Sequence, residues 1–205
     1  MKRTVTEDTA EAVVRFGGLI LQFARIERAT AHEDGVTAES DTDHTVMLGT
    51  IACAFAHVYE PSLDIGKIAQ FAFVHDLVEV YAGDTNTFGG NPNVRKEEKE
   101  AREHAALERL EKEFCASLPW VPETIAEYES LSSPEARYLK TLDKVMPKIT
   151  NVLNEGRRLR AHDGDKEFTE FCEKQLSFLR KEYGKDQDAV LELYALLVKA
   201  VQKVL

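Results

Sequence analysis

Apolar residues recur along this chain at the three- and four-residue spacing of helix faces, and polar segments separate one run from the next. Phe16, Leu19, Ile20 and Phe23 form the first face and predict a helix that ends near Arg28. Further faces of the same period predict helices over about residues 42–59, 62–83, 94–117, 124–130, 133–153, 166–183 and 187–204. The pattern indicates an all-α chain of about seven to eight helices.

Two segments modify this simple helical pattern. Residues 29–43 are polar and contain Gly35, which predicts a loop that is long for a connection inside a compact domain. Pro147 lies inside the helix predicted over 133–153 and should kink this central helix rather than end it. No segment shows a convincing alternation typical of a β-strand, so we predict no sheet.

Length and charge limit the classes of function. At 205 residues with 43% hydrophobic content, the chain suits a single compact domain over residues 1–205. Lysine and arginine number 26 against 36 aspartate and glutamate, which gives a net charge of −10. This excess of negative charge disfavours binding to a nucleic-acid polymer. A small anion can still bind, because nearby basic residues and a metal ion can override the overall field.

The cysteines and the N-terminal segment bear on location. Cys53, Cys115 and Cys172 form neither a C-x-x-C pair nor a disulfide-rich spacing, which is typical of a reducing cytoplasm. Residues 1–8 lack the apolar region of a secretion signal, and no apolar run approaches the roughly 20 residues that span a bilayer. We therefore expect a cytoplasmic protein that is neither processed nor bound to a membrane.

Three polar side chains interrupt the apolar helix predicted over 62–83. His75 and Glu79 are four residues apart and Asp76 and Glu79 are three apart, so the three can converge on one edge of that helix. Burying acids without compensation is costly, and a divalent cation is the simplest compensation. Imidazole and carboxylate ligands suit Mn, Co, Ni, Zn, Fe or Mg, and the sequence does not select among them.

One helix cannot complete a metal shell, so further ligands should stand out as polar positions on other apolar helix faces. His44 shares a face with Leu48, and Asp143 lies between Leu142 and Met146 in the helix predicted to be kinked. The candidate metal ligands therefore occur in the order His44, His75, Asp76 and Asp143.

With these residues in this order, the chain resembles the HD-domain phosphohydrolase superfamily, whose pattern is H…HD…D on separate helices around one metal. It looks most like the 5′-deoxynucleotidase branch, which includes the eukaryotic group called HD domain-containing protein 2. The stretch HDLVEVYAGD at 75–84 resembles the extended HD motif of that branch, and ESDTDH at 39–44 resembles its lead into the second helix. The KEEK run at 96–99 adds to the likeness. The resemblance covers about residues 19–153 and does not extend to the helices predicted over 166–204.

The resemblance implies an HD-domain helical bundle and metal-assisted hydrolysis of a phosphate ester. In that family the pattern residues bind the catalytic divalent metal, and here these are His44, His75, Asp76 and Asp143. Glu79 would be the general acid/base, and Asp84 would orient the attacking water or that glutamate. Alternatively, Glu79 and Asp84 would hold a second divalent cation.

The resemblance also implies contacts to a nucleotide substrate. Arg28 lies about where the family has a nucleotide-binding arginine, and Arg25 is the alternative. Asp84 and Thr85 are further candidates for substrate binding. The family commonly has a tryptophan just after that arginine, whereas this chain has ATA at 29–31, so the selection of sugar and base stays open.

The other histidines do not extend this pattern. A second HD pair, His162-Asp163, lies in a polar linker between helices, and we assign it no function. His32, His57 and His104 are interpreted as loop or surface residues. Two-metal members of the superfamily usually add two histidines between the HD pair and the final aspartate. This chain has only His104 there, which disfavours a histidine-bridged di-iron centre.

Our first hypothesis is release of phosphate from a nucleoside 5′-monophosphate, most readily a 2′-deoxyribonucleotide. A second is an HD-type hydrolase of a nucleoside triphosphate or an alarmone, and a third is a regulatory nucleotide-binding module without catalysis. The acids Glu79 and Asp84 favour an enzyme, because a binding module needs the metal ligands but not those acids. The resemblance also implies a homodimer.

Overall fold

A computed structural model describes residues 4–83, 92–162, 165–183 and 187–205 of the chain. The helices are α1 (Glu7–Phe23), α2 (Asp41–Tyr59), α3 (Ile65–Val74), α4 (Glu79–Ala82), α5 (Pro92–Phe114), α6 (Trp120–Glu129), α7 (Pro134–Asp143), α8 (Met146–Leu153), α9 (Arg157–His162), α10 (Asp165–Tyr183) and α11 (Asp188–Val204). Two strands, β1 (Glu27–Ala31) and β2 (Ala38–Ser40), form one small sheet. The predicted all-α fold class is confirmed, although the helices are more numerous than predicted.

Side-chain caps fix where several helices begin. Thr6 before α1 and Ser40 before α2 each accept the backbone N–H of the third helical residue, whose own side chain accepts the N–H of the cap in return. Asp64 and Ser133 accept a backbone N–H at the starts of α3 and α7. Because Ser40 is also the last residue of β2, its cap joins the sheet directly to the turn of α2 that carries His44.

The prediction of a strand-free loop over residues 29–43 is wrong, because this segment contributes to a short hairpin. Strands β1 and β2 pair antiparallel, from Glu27 opposite Ser40 to Ala31 opposite Ala38. The carboxylate of Asp34 stabilises the turn by accepting two backbone N–H groups at 2.8 and 2.9 Å. Strands of five and three polar-rich residues are too short for their alternation to stand out in the sequence.

The predicted end of the first helix near Arg28 is also wrong. Helix α1 ends at Phe23, and the chain then turns into β1. Arg28 therefore lies in a strand, where side chains alternate between the two faces. This position directs Arg28 toward the polar residues at the start of α2.

The helix that carries the HD pair is not continuous, contrary to the prediction. Helix α3 ends at Val74 and α4 begins at Glu79, and between them backbone hydrogen bonds run to the third preceding residue. The N–H of Leu77 donates to the Val74 carbonyl at 3.1 Å, and the N–H of Glu79 donates to the Asp76 carbonyl at 2.9 Å. This 3₁₀-like winding changes the angle between successive side chains. The prediction of one continuous helix is therefore wrong, but the three side chains do converge: Asp76 Oδ2 lies 3.0 Å from His75 Nε2, and ligand atoms of Asp76 and Glu79 lie within 4.8 Å of each other.

The helix predicted over 133–153 is likewise divided, into α7 and α8. Asp143 is the last residue of α7, and the N–H of Val145 donates to the Leu142 carbonyl at 2.8 Å in another tight turn. Pro147 is in the first turn of α8, where its missing N–H costs little. The expectation that Pro147 would only kink one helix is wrong, since the helix ends before the proline. Helix α9, which was not predicted, follows Gly156 with its φ of 70°.

Two groups of buried apolar side chains hold the helices together. The larger one contains Leu48 of α2, Phe71 of α3 and Leu139 of α7, together with Tyr194 of α11. The smaller one joins α1, α3, α5 and α6 around Leu110. Burying each large apolar side chain contributes about 1.5–3 kcal/mol. The C-terminal helices thus pack against the helices that carry the motif residues. In the described part of the chain, no helix is both long and apolar enough to cross a membrane.

Lys148 is a buried cation in this core. Its Nζ donates to the Lys144 carbonyl at 3.0 Å and to Gln175 Oε1 at 2.7 Å, and it lies 4.5 Å from the ring centroid of Tyr194. Burial has the largest effect on this amine and lowers the pKa of Lys148 from 10.5 to about 8. Between these two values the folded protein favours the neutral amine, whereas the unfolded chain keeps the proton.

Replacing Lys148 by methionine should stabilise the protein at pH 7, by up to about 3 kcal/mol at roughly 1.36 kcal/mol per pKa unit. Because the folded-state pKa is the lower one, the free energy of unfolding of the wild type should rise from pH 8 to pH 10.5. Lys148→Met should lack this rise, which urea denaturation across that range measures. Lys181→Met, at a side chain that is 82% exposed, is the control. Equal pH slopes for wild type and Lys148→Met would contradict the argument from burial.

Candidate metal centre

Three helices bring two histidines and one aspartate to a single point. His44 lies in α2, His75 directly follows α3, and Asp143 ends α7. His44 Nε2 is 2.9 Å from Asp143 Oδ1, and the centroids of the two histidine rings are 5.4 Å apart. One ligand atom from each of the three residues lies within 4.8 Å of the others, and all three residues are buried. The three side chains could therefore hold one metal ion.

The position of His75 leaves one ring nitrogen for a ligand. Its Nδ1 lies 2.8 Å from the Ala72 carbonyl, which assigns the proton to Nδ1 and a lone pair to Nε2. This Nε2 is buried, has no hydrogen-bond partner among the described residues, and lies 3.0 Å from Asp76 Oδ2. Two acceptors at that distance repel each other unless a cation accompanies them.

Both close pairs have the spacing of neighbouring ligands around one cation. Two ligand atoms that are each about 2.1 Å from a cation, at right angles, stand roughly 3 Å apart. The pair of His44 and Asp143 measures 2.9 Å, and the pair of His75 and Asp76 measures 3.0 Å. The nitrogen and oxygen donors therefore fit a divalent cation, and this donor set is compatible with several metals.

Glu39 supports His44 from the side of the hairpin. Its Oε1 lies 3.7 Å from His44 Nδ1, and its other carboxylate oxygen accepts a hydrogen bond from the Thr30 hydroxyl. A carboxylate behind an imidazole ligand fixes the orientation of the ring. Burial opposes a charge on His44, but the hydrogen bond to Asp143 and the nearby Glu39 carboxylate outweigh it and raise the pKa of His44 to about 9. A metal ion at His44 would therefore compete with a proton.

A second group of acids lies beside the first, with an arginine bound to it. Ligand atoms of Asp41, Asp76 and Glu79 also lie within 4.8 Å of one another. Arg28 Nη1 donates to Asp41 Oδ1 and to Asp76 Oδ2, both at 2.8 Å, and lies 3.9 Å from Glu79 Oε2. Asp41 is fully buried and was missed by the sequence prediction, because acids in the first turn of a helix are common there for electrostatic reasons.

Nearby cations keep the acids ionised in spite of burial. Burial alone would raise the pKa of Asp76, but the interactions with the neighbouring His75 and with the Arg28 guanidinium hold that pKa well below its usual range. Burial would also raise the pKa of Asp143, but the charge of Lys144 outweighs burial and holds this pKa well below its usual range as well. The Lys144 ammonium lies 2.7 Å from Asp143 Oδ2. The site therefore presents carboxylates rather than carboxylic acids.

The structure does not bring every predicted residue to this site. Arg25 is exposed, whereas Arg28 reaches the acids, so the arrangement favours Arg28 of the two alternatives. His57 and His104 are exposed, as expected of surface residues. The predicted roles of Asp84 and Thr85 fall outside the described residues, as does Asp163 of the second HD pair. The three cysteines are free thiols.

Adding a divalent cation should raise the melting temperature. A ligand at a hundred times its dissociation constant stabilises by about 2.7 kcal/mol, which corresponds to roughly 5–10 °C for a chain of this size. Asp143→Asn should need at least about tenfold more cation for the same shift, since it removes one charged ligand. Thermal unfolding in a titration with Mn²⁺ or Co²⁺ measures this. The exposed control Glu192→Gln should behave as wild type. An undiminished shift in Asp143→Asn would rule out this aspartate as a ligand.

Known proteins share this sequence pattern. A family model described as HD domain matches residues 22–186. The 5′-deoxynucleotidase hdd1 of Schizosaccharomyces pombe is 29% identical over 140 residues, which are 65% of this chain. The 5′-deoxynucleotidase HDDC2 of Homo sapiens is 28% identical over 137 residues, which are 66% of this chain. The matches span 65% and 64% of those relatives, slightly less than two thirds of their length.

Solved structures share the fold as well. A protein of Magnetospirillum magnetotacticum, named a predicted metal-dependent phosphohydrolase, has a TM-score of 0.75 and 24% identity over 97% of both chains. The PH0347 protein of Pyrococcus horikoshii has a TM-score of 0.58 and 20% identity, over 96% of this chain and 99% of the other. The resemblance inferred from the motifs is confirmed. Since the HD domain model covers most of the chain, including His44, His75, Asp76 and Asp143, this protein belongs to the HD domain family.

Proposed function

We propose that this protein is a metal-dependent phosphohydrolase that releases inorganic phosphate from nucleoside 5′-monophosphates, with 2′-deoxyribonucleotides as the favoured class. The observation that carries this proposal is the meeting of His44, His75 and Asp143, together with the buried His75 Nε2 that lacks a hydrogen bond to the described residues. Relatives named 5′-deoxynucleotidase support the class of substrate.

In this proposal, four side chains hold one divalent cation: His44, His75, Asp76 and Asp143. When bound, the cation would supply Lewis-acid activation of the phosphate ester and of water. The protein contributes a rigid frame for it. The Ala72 carbonyl orients His75, and Glu39 orients His44 from behind.

Glu79 is the proposed general acid/base. It is 4% exposed, and its carboxylate belongs to the group formed with Asp41 and Asp76. A carboxylate there can take a proton from the attacking water or give one to the departing oxygen. Asp84 is proposed to orient that water, or to hold a second divalent cation with Glu79. A buried acid beside the proposed metal ligands favours an enzyme, because a binding module would need the ligands but not this acid.

Arg28 is the proposed contact to the nucleotide, with Asp84 and Thr85 as further contacts. Its guanidinium already bridges Asp41 and Asp76, so its position is fixed before a substrate arrives. A planar guanidinium can bind the oxygens of a phosphate in the same way. We further propose that the protein is a cytoplasmic homodimer, on the basis of the family likeness and the free cysteines.

Phosphate release from deoxy- and ribonucleoside mono- and triphosphates, each with Mg²⁺, Mn²⁺ and Co²⁺, tests the proposed activity. We expect the wild type to hydrolyse monophosphates, with the deoxy forms preferred. Asp76→Ala should lose at least about a hundredfold in activity, since it removes a ligand and a partner of Arg28. The exposed control Asp188→Asn should keep it. Turnover of triphosphates alone would favour the alternative hydrolase, and metal binding without turnover of any nucleotide would contradict both enzymes.

Glu79→Gln should lower kcat by about 10²–10⁴-fold, because the amide keeps the shape of the side chain but cannot exchange a proton. The KM for the monophosphate should change by less than about threefold if Glu79 acts mainly in the transition state. Steady-state kinetics at saturating metal separate the two effects. Glu192→Gln makes the same chemical change at an exposed position and serves as the control. A wild-type kcat for Glu79→Gln would refute the assigned role.

A further inference from the structure

The buried side chain of Lys148 holds the break between α7 and α8 from inside the core. Lys148 is 3% exposed, and its ammonium donates to the Lys144 carbonyl at 3.0 Å. Lys144 is the C-terminal cap of α7 and directly follows Asp143, a proposed metal ligand. Lys148 therefore contacts the backbone beside that ligand without contacting the ligand itself.

The backbone around the break directs its own donors elsewhere. In a continuous helix the Lys144 carbonyl would accept the N–H of residue 148. Here the N–H of Lys148 donates to the Val145 carbonyl at 2.9 Å instead, and Pro147 has no N–H to offer. The ammonium of Lys148 thus replaces the donor that its own backbone withholds. A charged donor makes a strong hydrogen bond at a helix end, where carbonyls need partners from outside the helix.

Two further helices fix the ammonium at this carbonyl. Lys148 Nζ donates to Gln175 Oε1 of α10 at 2.7 Å and lies 4.5 Å from the ring centroid of Tyr194 of α11. The Tyr194 hydroxyl donates to the same Gln175 oxygen at 2.9 Å, so this acceptor is itself held in place. With two acceptors and an aromatic ring around it, the ammonium has little freedom to move. The break after Asp143 is thereby tied to α10 and α11.

The geometry at this break decides where the Asp143 carboxylate points. Asp143 Oδ1 lies 2.9 Å from His44 Nε2, and Asp143 Oδ2 lies 2.7 Å from the Lys144 ammonium. Both contacts depend on the backbone of residues 143 and 144. A binding site needs its ligands within about 0.5 Å of the productive geometry. A shift of the turn would therefore change how Asp143 meets a metal ion.

Lys148 is an unfavourable residue for the core itself. Burial lowers the pKa of its ammonium to about 8, because the folded chain solvates this charge less well than water does. An apolar side chain of similar length would fill the space without that penalty. A buried charge that weakens the core, and yet bonds the turn beside a proposed ligand, fits a residue retained for the site rather than for packing.

We propose that Lys148 is a positioning residue of the metal site, which fixes the Lys144 carbonyl and with it the direction of the Asp143 carboxylate. This role rests on the metal site of the proposed function, but not on the substrate or on turnover. It also gives α10 and α11 a part in metal binding, although the proposed ligands all precede them in the sequence.

Co²⁺ affinity and thermal stability, both measured at pH 7, test this role in Lys148→Met. The variant should bind Co²⁺ about tenfold more weakly, which is within the range for residues that orient a ligand. The visible absorption spectrum of the bound Co²⁺ should change as well, since it reports the coordination geometry. Without metal, the variant should melt no lower than wild type, because it lacks the buried charge.

Val201→Ala is the matched control, at a fully buried position in the same apolar core. It should lower the melting temperature by several degrees, because it leaves a cavity in the core. It should keep the Co²⁺ affinity within about twofold of wild type and the spectrum unchanged, because the substitution is independent of the turn at Lys144. Weaker metal binding without lower stability separates positioning from general support of the core.

The positioning role is overturned if Lys148→Met keeps the wild-type affinity and spectrum, or if both variants lose stability and Co²⁺ affinity in parallel. If wild type binds no Co²⁺, the proposed metal site fails and the role of Lys148 fails with it. A weaker and spectrally altered Co²⁺ site in Lys148→Met, in a protein that hydrolyses no nucleotide, would support the positioning role and reject the proposed activity alone.

Discussion

Carboxyl groups below the surface are the constraint on which this structure depends. Asp41, Glu79 and Asp143 are buried, and Asp76 is half-buried beside them. An isolated charge in a protein interior costs several kcal/mol, so each acid needs a positive partner within reach. Arg28 serves Asp41 and Asp76 from a strand, and a lysine adjacent in sequence serves Asp143. The hairpin supplies one of these cations, Arg28, and the residue after α7 supplies the other, Lys144.

The backbone departs from regular helix at the same places. The HD pair lies between α3 and α4, and Asp143 ends α7 just before another tight turn. A continuous helix turns each successive side chain by about 100°, so neighbouring polar residues would point in different directions. A 3₁₀-like turn separates neighbouring side chains even further, by about 120°. His75 Nε2 and Asp76 Oδ2 nevertheless lie 3.0 Å apart, so the side-chain torsions rather than the backbone period bring these two atoms together.

The candidate ligands could be predicted from the sequence because they stand out from their surroundings. His44 and Asp143 interrupt apolar helix faces, and the limits of α2, α10 and α11 agree with the apolar period to within about two residues. The period could not show the break at His75, because the residues around it stay apolar whether the turn has 3.6 or 3 residues. Asp41 was hidden for another reason, since an acid in the first turn also fits a helix start. The buried carboxylate of Asp41 is paired with Arg28, which lies in a strand too short to be predicted from the sequence.

The hairpin that supplies Arg28 and Glu39 is itself held by the second half of the chain. Asn154 donates its side-chain amide to the Ala31 carbonyl at 3.4 Å, and Arg158 Nε donates to the Ala29 carbonyl at 3.1 Å. These bonds join β1 to the end of α8 and to α9, beyond Asp143, the last candidate metal ligand in sequence. The position of the arginine at the acids thus depends on residues outside the motifs. This dependence gives a physical reason for the HD domain match to extend past Asp143, since Asn154 and Arg158 hold the hairpin.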